Sequence, residues 1–216
     1  MRSRIWILVA GVVVAGVLVG FFVTRFLNPT PPQIASTTTS TTLQGRPVVS
    51  LNLTTVAAVG TAGQGNGEHP NWVGYLPTTY LKVPAGAVVH MTIVQEDGQT
   101  GLRNEYFGLV RGTVNNQMTL SGDGHKQPEV LSALDPSLAA HTFTIPDLGV
   151  SVPLEGVASN DAAANPQEVI QFDFVVPDKP GLFRWQCFVP CAAGTLYGNG
   201  GPMQTLGYMA GELQVG

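Results

Sequence analysis

The sequence predicts an all-β outer domain behind a single apolar N-terminal helix. Three observations carry this. Ile5 to Thr24 is an uncharged stretch of 20 residues. From Arg46 onward no helical period appears, and short alternating or β-branched runs recur instead. Gly (26) and Pro (16) punctuate those runs. Several short strands separated by turn signals describe a sandwich or barrel.

The N-terminal stretch, IWILVAGVVVAGVLVGFFVT, is long enough as a helix to cover about 30 Å of hydrocarbon. Arg2 and Arg4 precede it, which keeps the N-terminus cytoplasmic. A cleaved signal peptide is the competing reading. Its apolar region is normally shorter and ends at a small-x-small site, whereas Arg25-Phe26-Leu27-Asn28-Pro29 follows here. The expectation is therefore an uncleaved single-pass anchor over 1–27, with the C-terminal domain extracytoplasmic. Residues 28–45, rich in Pro and Thr and free of charge, read as a semi-extended tether.

The outer domain then occupies 46–216. Its expected strands are Val48–Val56, Thr79–Val83, Val88–Gln95, His141–Ile145, Val169–Val176, Leu182–Cys187 and Glu212–Val215. Residues 162–164 and 132–140 have room for a helical turn or two. Gly60–Tyr75 and Gly98–Ala140 show no clear strand period and read as long functional loops or lids.

Charged residues make up 11% of the chain, against about a quarter in a typical soluble domain. The 44% of apolar residues is too many for disorder. From residue 44 onward seven basic residues face fourteen acidic ones. Such a surface repels phosphate backbones and excludes nucleic acid as a partner. Two cysteines exclude a disulfide-dense scaffold and a four-cysteine zinc site. Gly-x-Ser-x-Gly, His-Glu-x-x-His and the phosphate-loop pattern are all absent, so no catalytic constellation stands out.

Four segments share a pattern. Val83-Pro84-Ala85-Gly86 leads into a strand through Ile93, and His141-Thr142-Phe143-Thr144-Ile145-Pro146 begins another at a histidine. Pro180-Gly181 leads a third strand into Cys187-Phe188-Val189-Pro190-Cys191, and Met209 precedes the last. In this order they resemble the cupredoxin superfamily, in particular the copper domain of cytochrome c oxidase subunit II. The resemblance covers roughly Val83 to Val215. It implies a Greek-key β-sandwich, copper as cofactor and electron transfer in a respiratory chain. Implied partners are the membrane, other respiratory-complex subunits or a redox protein. The chain is then not an enzyme alone but a subunit of an oxidase-type complex.

The ligands implied are His141, Cys187, Cys191 and Met209, with Met203 and Gln204 as weaker candidates. Thiolate is a soft donor, imidazole borderline and thioether weak and axial, a set suited to copper. The ligand loop departs from the oxidase pattern. The family's loop histidine and methionine correspond to Thr195 and Gly198, and none of His69, His90, His125 or His141 follows Cys191. Two other readings stay open at this point. One is a metal-free scaffold, an accessory subunit of a membrane or surface complex with a Cys187–Cys191 disulfide. The other is copper delivery to an oxidase. His69, His90 and His125 read as structural or solvated.

Overall fold

The computed structural model describes residues 2–22, 34–35, 38–43, 45–60, 69–158, 165–191 and 201–216. The chain divides into two compact units, Met1–Pro32 and Gln33–Gly216.

In the first unit, α1 spans Arg2–Phe22. Among the described residues no helix is long and apolar enough to cross a membrane. The expected anchor continues to Thr24, beyond the described residues.

The second unit is built of strands. In chain order they are β1 (Ile34–Ala35), β2 (Thr38–Leu43), β3 (Arg46–Val56), β4 (Gly74–Leu76), β5 (Tyr80–Val83), β6 (Val88–Gln95) and β7 (Met118–Gly122). They continue with β8 (Glu129–Leu131), β9 (Ala139–Ile145), β10 (Val150–Glu155), β11 (Glu168–Val175), β12 (Gly181–Gln186) and β13 (Ala210–Val215). The seven strands expected from sequence are β3, β5, β6, β9, β11, β12 and β13. The alternation that predicts them is the alternation that buries them: β6 and β11 bury every second residue along most of their length.

The Thr-rich segment expected to be a tether instead contributes β1 and β2. Thr38–Leu43 pairs antiparallel with β3, Thr42 opposite Pro47. Its β-branched threonines suit a pleated edge as well as a linker. The connection from Gly98 to Ala140, which shows no clear strand period in the sequence, contains the short strands β7 and β8. Of the expected helical turns, the 132–140 segment holds one 3-10 turn at Pro136–Leu138, and 162–164 lies outside the described residues.

Two sheets form. One runs β1-β5-β13-β12-β9-β10, the other β2-β3-β6-β11-β7-β8 with β4 beside β3. They face each other as a β-sandwich, and the core lies between them. Phe143 of β9 meets Phe172 and Phe174 of β11 across that space, with ring centroids 5.8 and 6.4 Å apart. Trp185 of β12 packs beside Phe143 at 4.9 Å and edge-on to Tyr75 at 5.0 Å.

Candidate metal centre

The centre lies where β9, β12 and β13 meet. Register places Gln186 opposite both Thr144 of β9 and Ala210 of β13. The chain therefore leaves β12 at Cys187 already flanked by both neighbours. The Cys187 amide donates to the Met209 carbonyl at 2.9 Å. The Phe188 amide donates to Thr142 Oγ1 at 2.8 Å. Beyond that the segment turns on its own sulfur, with the Val189 amide donating to Cys187 Sγ at 3.3 Å. Pro190 then leads to Cys191.

This geometry brings three of the sequence-predicted residues together. One donor atom each from His141, Cys187 and Cys191 lies within 4.8 Å of the others, and all three residues are buried. His141 Nδ1 is 3.8 Å from Cys187 Sγ. Both cysteines are free thiols, so the disulfide considered from the sequence is not formed. Met209 is fully buried and is joined to Cys187 through the backbone. Met203 is buried in the 3-10 turn Pro202–Gln204. Gln204 is exposed, and its carbonyl accepts a hydrogen bond from Arg184 at 2.6 Å. Thr195 and Gly198 lie outside the described residues.

Sequence reasoning missed Asp97. It follows β6 in the opposite sheet, and its Oδ2 is 2.9 Å from His141 Nε2. An acid two residues past a strand end carries no signal of such a contact. Sequence reasoning also missed Phe107, which stacks on Phe188 with centroids 4.9 Å apart.

The electrostatics follow from burial and pairing. Burial works against a charged His141, yet Asp97 and Cys187 outweigh it and raise its pKa to about 9. Burial likewise opposes ionisation of Cys187, but hydrogen bonds from Cys191 and His141 and the imidazolium charge hold it well below the usual thiol range. Cys191 is pushed up by its hydrogen bond to Cys187, by burial and by the neighbouring thiolate charge. Burial and both cysteines raise Tyr75 well above the usual phenol range. Asp97 is held below the usual carboxylate range. Burial opposes this, and the hydrogen bond and charge of His141, with the Gly98 amide, prevail. Asp97 and Cys187 thus favour the charged imidazole, His141 favours the Cys187 thiolate, and burial with its neighbour favours the neutral Cys191 thiol.

Two soft sulfurs and one imidazole, buried and convergent, form a donor set of the kind that soft or borderline metals such as Cu(I) and zinc take. The other histidines lie elsewhere. His69 stacks on Trp72 at 3.8 Å and His90 pairs with Asp173 at 2.6 Å. His125, expected to be solvated, is mostly buried and faces Glu129, Glu155 and Glu168 at 3.5, 3.4 and 3.8 Å. The reason is that its turn folds over Glu168, whose Oε1 accepts the Gly124 amide at 2.8 Å.

A β-sandwich that gathers a histidine and two cysteines is what the resemblance to cupredoxins implied.

Neither protein-family models nor curated proteins match the chain. Among solved structures it is similar to a chain of a heme-copper terminal oxidase dimer, with 10% identity, all of both chains covered and a TM-score of 0.29. It is also similar to rusticyanin from Thiobacillus ferrooxidans, with 12% identity, 83% and 87% covered and a TM-score of 0.31. A multicopper oxidase gives 11% identity, 80% and 46% covered and a TM-score of 0.29. The cupredoxin likeness rests on the chain's own sandwich and on the histidine and cysteines gathered at one end of it.

Proposed function

We propose that this chain is a membrane-anchored cupredoxin-like protein, Greek-key in topology. In this reading it binds copper through Cys187, Cys191 and His141 and carries electrons in a respiratory chain. One observation supports it above the rest: three buried donors of the right softness converge from separate elements. His141 comes from β9, and the two sulfurs from the segment after β12. When bound, copper would supply a one-electron couple. The chain's part is to hold the donors rigidly in a dry site, so that little rearrangement accompanies a change of oxidation state. Met209, joined to Cys187 through the backbone, would be a further soft donor. The proposed anchor is Ile5–Thr24, on the strength of its length, its lack of charge and the arginines before it.

A second reading, copper delivery, is favoured by the single imidazole. With His69, His90 and His125 engaged elsewhere, the described donors offer two sulfurs and one nitrogen, which favours Cu(I) over a cycling couple.

The test is a Cu(I) titration of the reduced protein against a chromophoric chelator, with Cys187→Ser alongside. One equivalent bound by the wild type and none by the variant is expected. Reversible oxidation of the loaded protein would support electron transfer, and metal loss on oxidation would support delivery. A reduced wild type that binds no copper would remove both.

A further inference from the structure

We propose that Asp97 is the positioning residue of the centre, fixing His141 so that Nδ1 is the atom turned to the two sulfurs and Nε2 the atom that keeps its proton. The effect on metal affinity rests on the copper reading; the orientation of the ring does not.

The imidazole is wholly buried, and its two nitrogens have different neighbours. Nε2 lies 2.9 Å from Asp97 Oδ2, and Nδ1 lies 3.8 Å from Cys187 Sγ. An ionised carboxylate only accepts hydrogen bonds, so the nitrogen it faces must carry a proton. That leaves the Nδ1 lone pair as the donor available to a metal.

Asp97 is itself held. Its Oδ1 accepts the Gly98 amide at 2.8 Å. Its carbonyl accepts the Val157 amide at 2.9 Å and Gln95 Nε2 at 3.1 Å. Both carboxylate oxygens and the carbonyl are committed, and the residue is fixed to β6 of one sheet while its histidine belongs to β9 of the other. A ring anchored in this way cannot turn edge for edge without breaking the 2.9 Å bond to Asp97. Carboxylates that orient a ligating histidine typically change metal affinity about 10–100-fold when removed.

Two measurements on the full chain test this, with Asp97→Ala and Asp97→Asn compared with wild type. The first is nitrogen-15 NMR of the metal-free reduced protein. The wild type should show a slowly exchanging Nε2 proton on His141, and Asp97→Ala should lose it. The second is Cu(I) competition, in which Asp97→Ala should lose about 10–100-fold in affinity. Asp97→Asn keeps an acceptor oxygen, so it should retain the resonance and recover most of the binding. Asp97→Ala with both the resonance and the affinity of wild type overturns the proposal. So does a folded Asp97→Asn with neither, which also covers an Ala variant too unstable to study. If the wild type binds no copper, the copper reading fails on its own and the Nε2 resonance alone decides the role of Asp97.

Discussion

Phe107 lies on Phe188 with ring planes 16° apart and centroids separated by 4.9 Å. The first belongs to the long connection between β6 and β9, the second to the segment between the two cysteines. A loop without obvious period in the sequence thus covers the sulfur-bearing turn.

Phe107→Ala should uncover that turn without disturbing the sandwich. The stacked pair contributes about 0.5–1.5 kcal/mol beyond its buried area. The expected outcome is faster reaction of Cys187 and Cys191 with a thiol reagent in the metal-free reduced protein, at nearly unchanged far-ultraviolet circular dichroism.

Cys187 should titrate as a thiolate at unusually low pH. Burial opposes this, but the Cys191 hydrogen bond and the His141 cation hold it well below the free-thiol range. Thiolate ultraviolet absorbance of the metal-free protein should therefore appear below the pH at which an ordinary thiol ionises. Cys187→Ser should abolish it, and His141→Gln should move its onset upward.

Trp185 is fully buried between Phe143 and Tyr75, and its Nε1 donates to the Thr79 carbonyl at 3.1 Å. Trp185→Ala should cost about 3–5 kcal/mol in urea unfolding. Trp185→Phe should cost far less, about 1–2 kcal/mol, because the Thr79 carbonyl keeps the Glu212 amide at 3.0 Å.

Glu168 gives a pH dependence of definite sign. Burial raises its pKa, against the Gly124 amide and His125, which lower it. Between the unfolded and the raised folded value the native state holds more protons than the unfolded chain. Stability must then fall as pH rises through that window, starting near the ordinary glutamate value. Urea unfolding across that range should show the decline, and Glu168→Gln should flatten it.

The anchor is tested by fractionation. Mature protein that retains Ile5–Thr24 and is extracted from membranes only by detergent is the expected outcome. A chain starting near residue 28 and released without detergent would remove the anchor from the reading.

Local pattern was enough for much of the fold. Alternation along Val88–Gln95 and Val169–Val176 reads directly as strand, because the period that exposes every second side chain is the period of the pleat. β10 was hidden by Pro153, which argues against a strand. It is tolerated because β10 lies at the sheet edge, where a missing amide costs no ladder bond. β7 and β8 are short and set among turn residues. The threonines of β2 serve a tether or an edge strand equally well, and the neighbouring β3 decides between them.

The same division runs through the site. Cys187 and Cys191 are four residues apart on one turn, so their association is visible in the chain itself. His141 stands out as a histidine at a strand start, but only the pairing of β9 with β12 brings it to the sulfurs, 46 residues away in sequence. Asp97 could not be found in advance. It meets His141 across 44 residues because closing the sandwich brings the end of β6 in one sheet against β9 in the other. The sequence by itself determined the seven strands with clear alternation and the soft donors, since both depend on neighbours along the chain. Which donors converge, and what orients them, was decided by the packing of two sheets, since hydrogen bonds of about 3 Å between distant segments exist only once the core has formed.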